Sequence, residues 1–221
     1  VLELNKIYNL EAFEFLKGVA DKSVDLIIID PPYSTPVITS FGRKKNKNLA
    51  DLSIQEYFFS GLKKEIERVL KEDGRLFIFC DDKFYPILYA VFYDWLNLQL
   101  LIWDKGRIGM GRPIRKQHEF ILYANRGSWD FKKEELTHIP SIIKVKSECE
   151  KVHGAQKPIE LLKTLIMGFS EEENVVLDCF AGSGNTLIAA KQTNRKFIGS
   201  DLNREYYGIA MKRLDLEVGK K

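Results

Sequence analysis

Residues 24–36 read Val-Asp-Leu-Ile-Ile-Ile-Asp-Pro-Pro-Tyr-Ser-Thr-Pro. Val24 to Ile29 is almost continuously apolar and β-branched, the pattern of a strand covered on both faces in a mainly parallel sheet. A carboxylate, Asp30, stands at the carboxyl end of that strand, where open α/β sheets bind their ligands. Pro31 and Pro32 fix their own φ and push the residue before them towards extended geometry, so Asp30 and Tyr33 are delivered with little conformational freedom. Taken alone, these four residues serve equally well as a strand end with a solvated acid. The remainder of the chain decides between the two.

Working outward, strand patterns recur at 75–80 (RLFIFC), 98–103 (LQLLIW), 118–124 (HEFILYA), 174–178 (NVVLD) and 196–200 (KFIGS), with a weak one near Ile7. Together with 24–29 they predict a seven-stranded sheet. Ser53-Ile54-Gln55-Glu56 has the form of a capping box, and Phe58, Leu62, Ile66, Val69 and Leu70 after it form an apolar stripe closed by Asp73-Gly74. Amphipathic patterns near 83–95 and 156–169, and shorter ones near 184–193 and 203–217, predict further helices. Strands alternating with helices specify an α/β fold with a doubly wound, mostly parallel sheet. Two segments fall outside the scheme, 34–52 and 104–117, and a third irregular stretch, 130–152, reads as a small insert.

The composition bounds the partners. At 221 residues, 45% hydrophobic and 29% charged, the chain suits one globular domain spanning 1–221. No apolar run reaches the roughly 18 to 20 residues of a membrane span and no leader pattern opens the chain, so a cytoplasmic location without membrane contact is expected. Cys80, Cys149 and Cys179 are too widely spaced for a CxxC metal pair and are expected to be reduced thiols, with no metal site. Net charge is only +3, but the cations cluster: Arg43, Lys44, Lys45 and Lys47 in one irregular segment, Arg107, Arg112, Arg115 and Lys116 in the other. Clusters of this kind on the ligand-binding edge of a sheet favour a polyanionic partner.

A second constellation surrounds Asp178, 148 positions after Asp30. Residues 174–186 read NVVLDCFAGSGNT, a strand, a glycine-containing turn and the start of a helix. Glycine lets a ligand approach the backbone, and free amides at a helix start attract polar or anionic groups. The turn is neither GxGxxG nor a phosphate loop ending in GK[ST]. Twenty-three positions after Asp178 the next strand ends at Asp201, where an acid can accept hydrogen bonds from both hydroxyls of a ribose. An adenosine-containing cofactor fits this pair.

The blocks SVDLIIIDPPY (23–33), HEFILYANRG (118–127), HGAQKP (153–158), FAGSG (180–184) and IGSDLNREYYGIA (198–210) occur in that order. Together they resemble the S-adenosylmethionine-dependent amino-methyltransferases of DNA, in particular the permuted beta group, with the catalytic motif first and the cofactor motif late. The resemblance spans nearly the whole chain and implies a Rossmann-like methyltransferase sheet. It implies that Asp30, Pro31, Pro32 and Tyr33 are catalytic. For S-adenosylmethionine it implies contacts from Asp30, Asp178, Phe180, Ala181, Gly182, Ser183, Gly184, Asn185, Thr186, Asp201 and Leu202. Lys157 closes the methionine side, and Glu11 stands where the family usually has Gly-Asp for the adenine. Double-stranded DNA is the implied partner, with a second copy of the chain, a separate specificity subunit or a restriction nuclease as further ones. Only residues 128–152 separate the HEFILYANRG and HGAQKP blocks, so any target-recognition insert at 130–152 is minimal for this group.

In chemical terms, the lone pair of a nucleobase amine is delocalised into the ring. Asp30 and the Pro31 carbonyl can each accept one N–H, favouring a pyramidal nitrogen open to attack, while Tyr33 stacks on a base extruded from the duplex. Asp at position 30 resembles the adenine-N6 members more than the cytosine-N4 members. Cytosine-N4 or RNA amino-methylation, and a catalytically silent nucleic-acid-binding subunit, remain alternatives.

Overall fold

The computed structural model describes residues 1–32, 49–109, 113–127, 139–146 and 156–216. In chain order the elements are β1 (Lys6–Tyr8), α1 (Ala12–Gly18), β2 (Val24–Ile29), α2 (Leu49–Val69), β3 (Leu70–Cys80), α3 (Tyr85–Phe92) and β4 (Asn97–Asp104). They continue with β5 (His118–Asn125), β6 (Ile142–Lys144), α4 (Ile159–Phe169), β7 (Val175–Asp178), α5 (Asn185–Gln192), β8 (Lys196–Ser200) and α6 (Arg204–Leu216). The strands form one sheet in the order β1-β8-β7-β2-β3-β5-β4-β6. The ladders from β1 to β3 are parallel, β5 runs antiparallel to both of its neighbours, and β6 pairs parallel with β4.

The alternation of β2 builds both layers of the core. Ile27 and Ile29 join Phe15, Leu62, Ile66 and Leu88 under α1, α2 and α3, whereas Leu26 and Ile28 join Leu162, Ile166, Ile188 and Leu214 under α4, α5 and α6. All four β2 side chains are essentially inaccessible, and each such burial stabilises the fold by about 1.5–3 kcal/mol. This double coverage explains why the strand reads as a continuous apolar run. Asp25, its one acid, is committed at the other end: it accepts from the Val175 amide at 2.9 Å and pairs with Lys71 at 2.6 Å, tying β2 to both of its neighbours.

Three expectations are corrected. The sheet has eight strands among the described residues, because Ile142–Lys144 in the 130–152 stretch adds a three-residue edge strand too short to show a period. Ser53 lies inside α2, which already runs at Leu49, so Ser53-Ile54-Gln55-Glu56 is not its cap. The chain passes at Val69 directly into β3, so Asp73-Gly74 lies within a strand and does not close the helix. Burial of Leu62, Ile66 and Val69 sets the helix's orientation, and the pairing of Val24 with Leu70 starts the strand early. A further helix, α1, was not foreseen; the Glu11 carboxylate caps it by accepting from the Phe13 and Glu14 amides.

The described parts of the 104–117 segment, 104–109 and 113–117, are paired with one another. Beyond the Asp104–His118 pair, Lys105 N donates to Gln117 O at 2.9 Å and Gly109 N to Lys116 O at 2.8 Å, so β4 and β5 continue as an extended arm.

Candidate active site

β2 lies between β7 and β3. From β2 the chain crosses through α2 to β3 on one side, while from β7 it crosses through α5 on the opposite face of the sheet to β8 on the other side. Connections that part in this way open a crevice at the carboxyl ends of the two central strands. The register pairs Ile27 with Leu177, so Asp30 and Phe180, three residues beyond each, emerge level with one another.

A cavity of about 700 Å³ occupies this crevice, within the usual range for small-molecule sites. Asp30, Pro31 and Pro32 line it from β2, and Asp178, Phe180, Ala181, Gly182, Ser183, Asn185 and Thr186 line it from the β7–α5 turn. Asp201 and Leu202 follow β8 into the wall, Lys157 precedes α4, and Glu11 enters from the start of α1. Phe58, Gln156, Leu162, Asn203 and Tyr206 complete much of the lining, and none of them was singled out as a site residue from sequence. Phe58 could not be read as such, because its helical spacing marked it only as part of a core stripe.

Four amides of the turn after β7 are committed within the fold. Phe180 N donates to Asp178 Oδ1 at 2.9 Å, Ala181 N to Ser200 O at 2.9 Å, Gly182 N to Asp201 Oδ2 at 2.7 Å and Gly184 N to Ala181 O at 2.8 Å. These amides are spent on holding the turn against β8, since two carboxylates and a strand carbonyl compete for them at short range. What the turn offers a ligand is close approach. Gly182 has φ +52°, and nothing lies within 4 Å of where its Cβ would stand. Gly184 is turned away from the cavity: with φ +86° it packs against Ala210, whose Cβ would be 2.9 Å from its own.

Asp201 is held by two amides, Gly182 N on Oδ2 and Asn203 N on Oδ1 at 2.8 Å, while Asn9 Nδ2 grips the Asp201 and Leu202 carbonyls. Its carboxylate is fixed in orientation and each oxygen retains acceptor capacity for a hydroxyl. Asp178 is buried, and burial pushes its carboxyl up to about 7 despite hydrogen bonds from Thr186 and the Phe180 amide. Burial likewise drives the Cys80 thiol to about 12 and the Cys179 thiol well above its ordinary value, so both are inert packing groups. Cys149 lies outside the described residues.

Lys157 is 7% exposed, and its ammonium sits 2.7 Å from Asp30 Oδ2 and 3.0 Å from Glu119 Oε2. Burial would lower its pKa, but the two carboxylates outweigh it and hold the ammonium above its ordinary range. Lys157 thus points at the acid of the Asp30-Pro31-Pro32 turn, a placement that the sequence did not indicate. Glu119 was missed altogether. Its signal was present, since it stands in phase with the buried Ile121 and Tyr123 on β5, an acid on an apolar stripe.

Of the expected DNA contacts, Arg107, Arg115 and Lys116 are exposed on the β4–β5 arm; Arg115 Nε donates to Gly109 O and Lys116 pairs with Asp82. Tyr33, Arg43, Lys44, Lys45, Lys47 and Arg112 lie outside the described residues, as do 130–138 and 147–152 of the insert. No helix among the described residues is long and apolar enough to cross a membrane.

Comparison with known proteins agrees with this geometry. Residues 24–212 match a family model described as DNA methylase, of the N6/N4 type. The chain is 31% identical to the Type II methyltransferase M.HhaII of Haemophilus parahaemolyticus, over 90% of this chain and 91% of that protein. It is 29% identical to the Type II methyltransferase M.HpaI of Haemophilus parainfluenzae, over 93% of this chain and 73% of the relative. Among solved structures, the M1.HpyAVI–SAM complex superposes with a TM-score of 0.69 at 25% identity, covering 94% of this chain and 98% of that one. The cytosine-N4-specific PvuII DNA methyltransferase shares the fold, with a TM-score of 0.78 at 17% identity, covering 96% of this chain and 87% of that one.

Proposed function

Because the chain belongs to the N6/N4 DNA methylase family, we propose that it transfers a methyl group from S-adenosylmethionine to the N6 amine of an adenine flipped out of duplex DNA. The observation that carries this reading is the single cavity shared by the Asp30-Pro31-Pro32 turn and the Phe180–Thr186 turn, with Asp201 beside them. S-adenosylmethionine fits that cavity: Asp201 offers a fixed acceptor for ribose hydroxyls, Gly182 leaves room for close approach, and Phe58, Leu162 and Phe180 provide apolar walls. When bound, it supplies an electrophilic methyl group on a sulfonium.

The chain's own residues supply position. Asp30 and the Pro31 carbonyl each accept an N–H of the amine, and Pro32 stiffens the turn that presents Tyr33 to the face of the base. Asp30 Oδ2 lies 2.7 Å from the Lys157 ammonium, and this pairing orients the carboxylate as a hydrogen-bond acceptor. Alignment of amine and methyl group then supplies most of the rate. The adenine assignment rests on Asp, rather than Ser, at position 30. Backbone contacts are assigned to the basic residues of the β4–β5 arm and of 43–47, and target readout to the arm together with the 130–152 insert of a single methyltransferase domain. The Type II designation of the relatives makes restriction–modification, with a nuclease of matching specificity, the proposed setting.

Incubating the chain with duplex DNA and methyl-labelled S-adenosylmethionine, followed by nucleoside analysis, tests the reading. Labelled N6-methyladenine is the expected product. Labelled N4-methylcytosine would overturn the adenine assignment alone, and unlabelled DNA would overturn the whole reading.

A further inference from the structure

Glu119, a half-buried acid beside Lys157, has no role in the transfer itself. It is absent from the cavity lining, yet its Oε2 lies 3.0 Å from the Lys157 ammonium, which also sits 2.7 Å from Asp30 Oδ2. Its other oxygen, Oε1, pairs with Lys105 Nζ at 2.5 Å. The Lys157 ammonium also lies 5.1 Å above the Phe79 ring, and the Lys157 carbonyl accepts from Asn185 Nδ2 at 2.7 Å. Lys157 is therefore held at both ends, by α5 at its backbone and by two carboxylates at its tip.

A buried cluster of this kind is weak support for stability, because desolvation of the ions offsets their attraction. Its value lies in geometry. A lysine has four rotatable side-chain bonds, and an ammonium held by a single carboxylate can swing with it. A second carboxylate on the same ammonium restricts that freedom. We propose that Glu119 is a positioning residue of the transfer step: as a second anion on the Lys157 ammonium, it helps to fix the carboxylate of Asp30 in the orientation that receives the substrate amine. This rests on the amino-methyltransferase reading given above.

The charges also set a pH dependence. Among the described residues, the titratable groups coupled to Asp30 include Lys157 before α4, Asp178 of β7 and Cys80 of β3; Glu119 and Lys105 act on it through Lys157. Burial alone would raise the Glu119 carboxyl, but Lys157 and Lys105 outweigh it and hold Glu119 below its ordinary range. With Lys157 removed, Asp30 and Glu119 would lose the cation they share, and repulsion between the two carboxylates would favour the protonated form of one of them.

The experiment measures kcat, KM for DNA and calorimetric affinity for S-adenosylmethionine in the wild type, Glu119→Gln, Lys157→Met and the double variant, between pH 5 and 9. Glu119→Gln keeps the shape and loses the charge; kcat is expected to fall about tenfold or more, with KM and cofactor affinity within about threefold. Lys157→Met should displace the acid limb of kcat upward by about one unit or more. In the double variant, where the repelling carboxylate is also gone, the limb should move back and activity at pH 7 should recover about tenfold over Lys157→Met. A residue that merely props up the fold would not produce that rescue. Wild-type kcat in Glu119→Gln, or no rescue in the double variant, overturns the proposal. If Lys157→Met fails to fold, the split between kcat and KM in Glu119→Gln decides by itself. A wild type that labels DNA while Glu119→Gln is unimpaired sinks this inference alone, whereas a wild type that labels no DNA sinks the functional reading and the inference with it.

Discussion

Single residues carry the chemistry through what already occupies them. Asp30 is the acid that meets both the cavity and Lys157, and in the proposed reaction its partner is the substrate amine. Asp30→Ala should therefore abolish methyl transfer while leaving the dissociation constant for S-adenosylmethionine within a few-fold, as measured by calorimetry. Asp178 behaves differently, because burial raises its carboxyl from 3.8 to about 7. An acid whose folded-state pKa lies above its unfolded value binds more protons when folded, so its contribution to stability is complete below pH 3.8 and is lost as pH rises to about 7. Asp178→Asn keeps an acceptor for the Phe180 amide but carries no charge. Denaturant titrations at pH 4.5 and 7 should show the wild type losing up to a few kcal/mol relative to Asp178→Asn over that interval.

At the scale of elements, the β7–α5 turn and the β4–β5 arm do separate work. Gly184 allows α5 to start in a left-handed conformation against Ala210 of α6, where an added Cβ would come within 2.9 Å of another. Gly184→Ala should lower stability by about 1–3 kcal/mol, read as a fall in the midpoint of denaturant unfolding. The arm carries Arg107, Arg115 and Lys116 away from the core, exposed and placed beyond the strand pairs that anchor it. Contacts from such residues to phosphates give affinity by counterion release and little discrimination among bases. Replacing all three by alanine should weaken every duplex alike and flatten the salt dependence of binding by up to about one unit per lost contact, across a panel of sequences at two salt concentrations. A loss confined to one base position would mean instead that an arginine reads a guanine edge.

For the whole molecule, the consequence of the sheet order is that one ligand touches both halves of the chain. The cavity is lined by residues from Glu11 to Tyr206, which meet only once β2 lies beside β7. A ligand bound there stabilises the entire fold, and S-adenosylmethionine at a hundred times its dissociation constant should raise the unfolding free energy by about 2.7 kcal/mol. The increment should vanish for a variant that cannot bind it, which thermal or denaturant unfolding of the Asp201→Ala variant with and without the ligand would reveal.

The sequence by itself determined the strand-and-helix alternation and the identity of β2, because a strand buried on both faces must be apolar throughout and therefore announces itself. It also carried the two motif turns, whose prolines and glycines restrict or release the backbone locally. Its misreadings are of one kind. Ser53-Ile54-Gln55-Glu56 has the letters of a cap, but α2 already runs at Leu49 and places it inside the helix; Asp201 and Ser200, far along the chain, take the Gly182 and Ala181 amides, which no local pattern shows. Glu119 and Lys157 are 38 positions apart and carry no local pattern that joins them. Only the tertiary structure brings them to Asp30, because hydrogen bonds and ion pairs act over about 3 Å in space and are indifferent to separation along the chain.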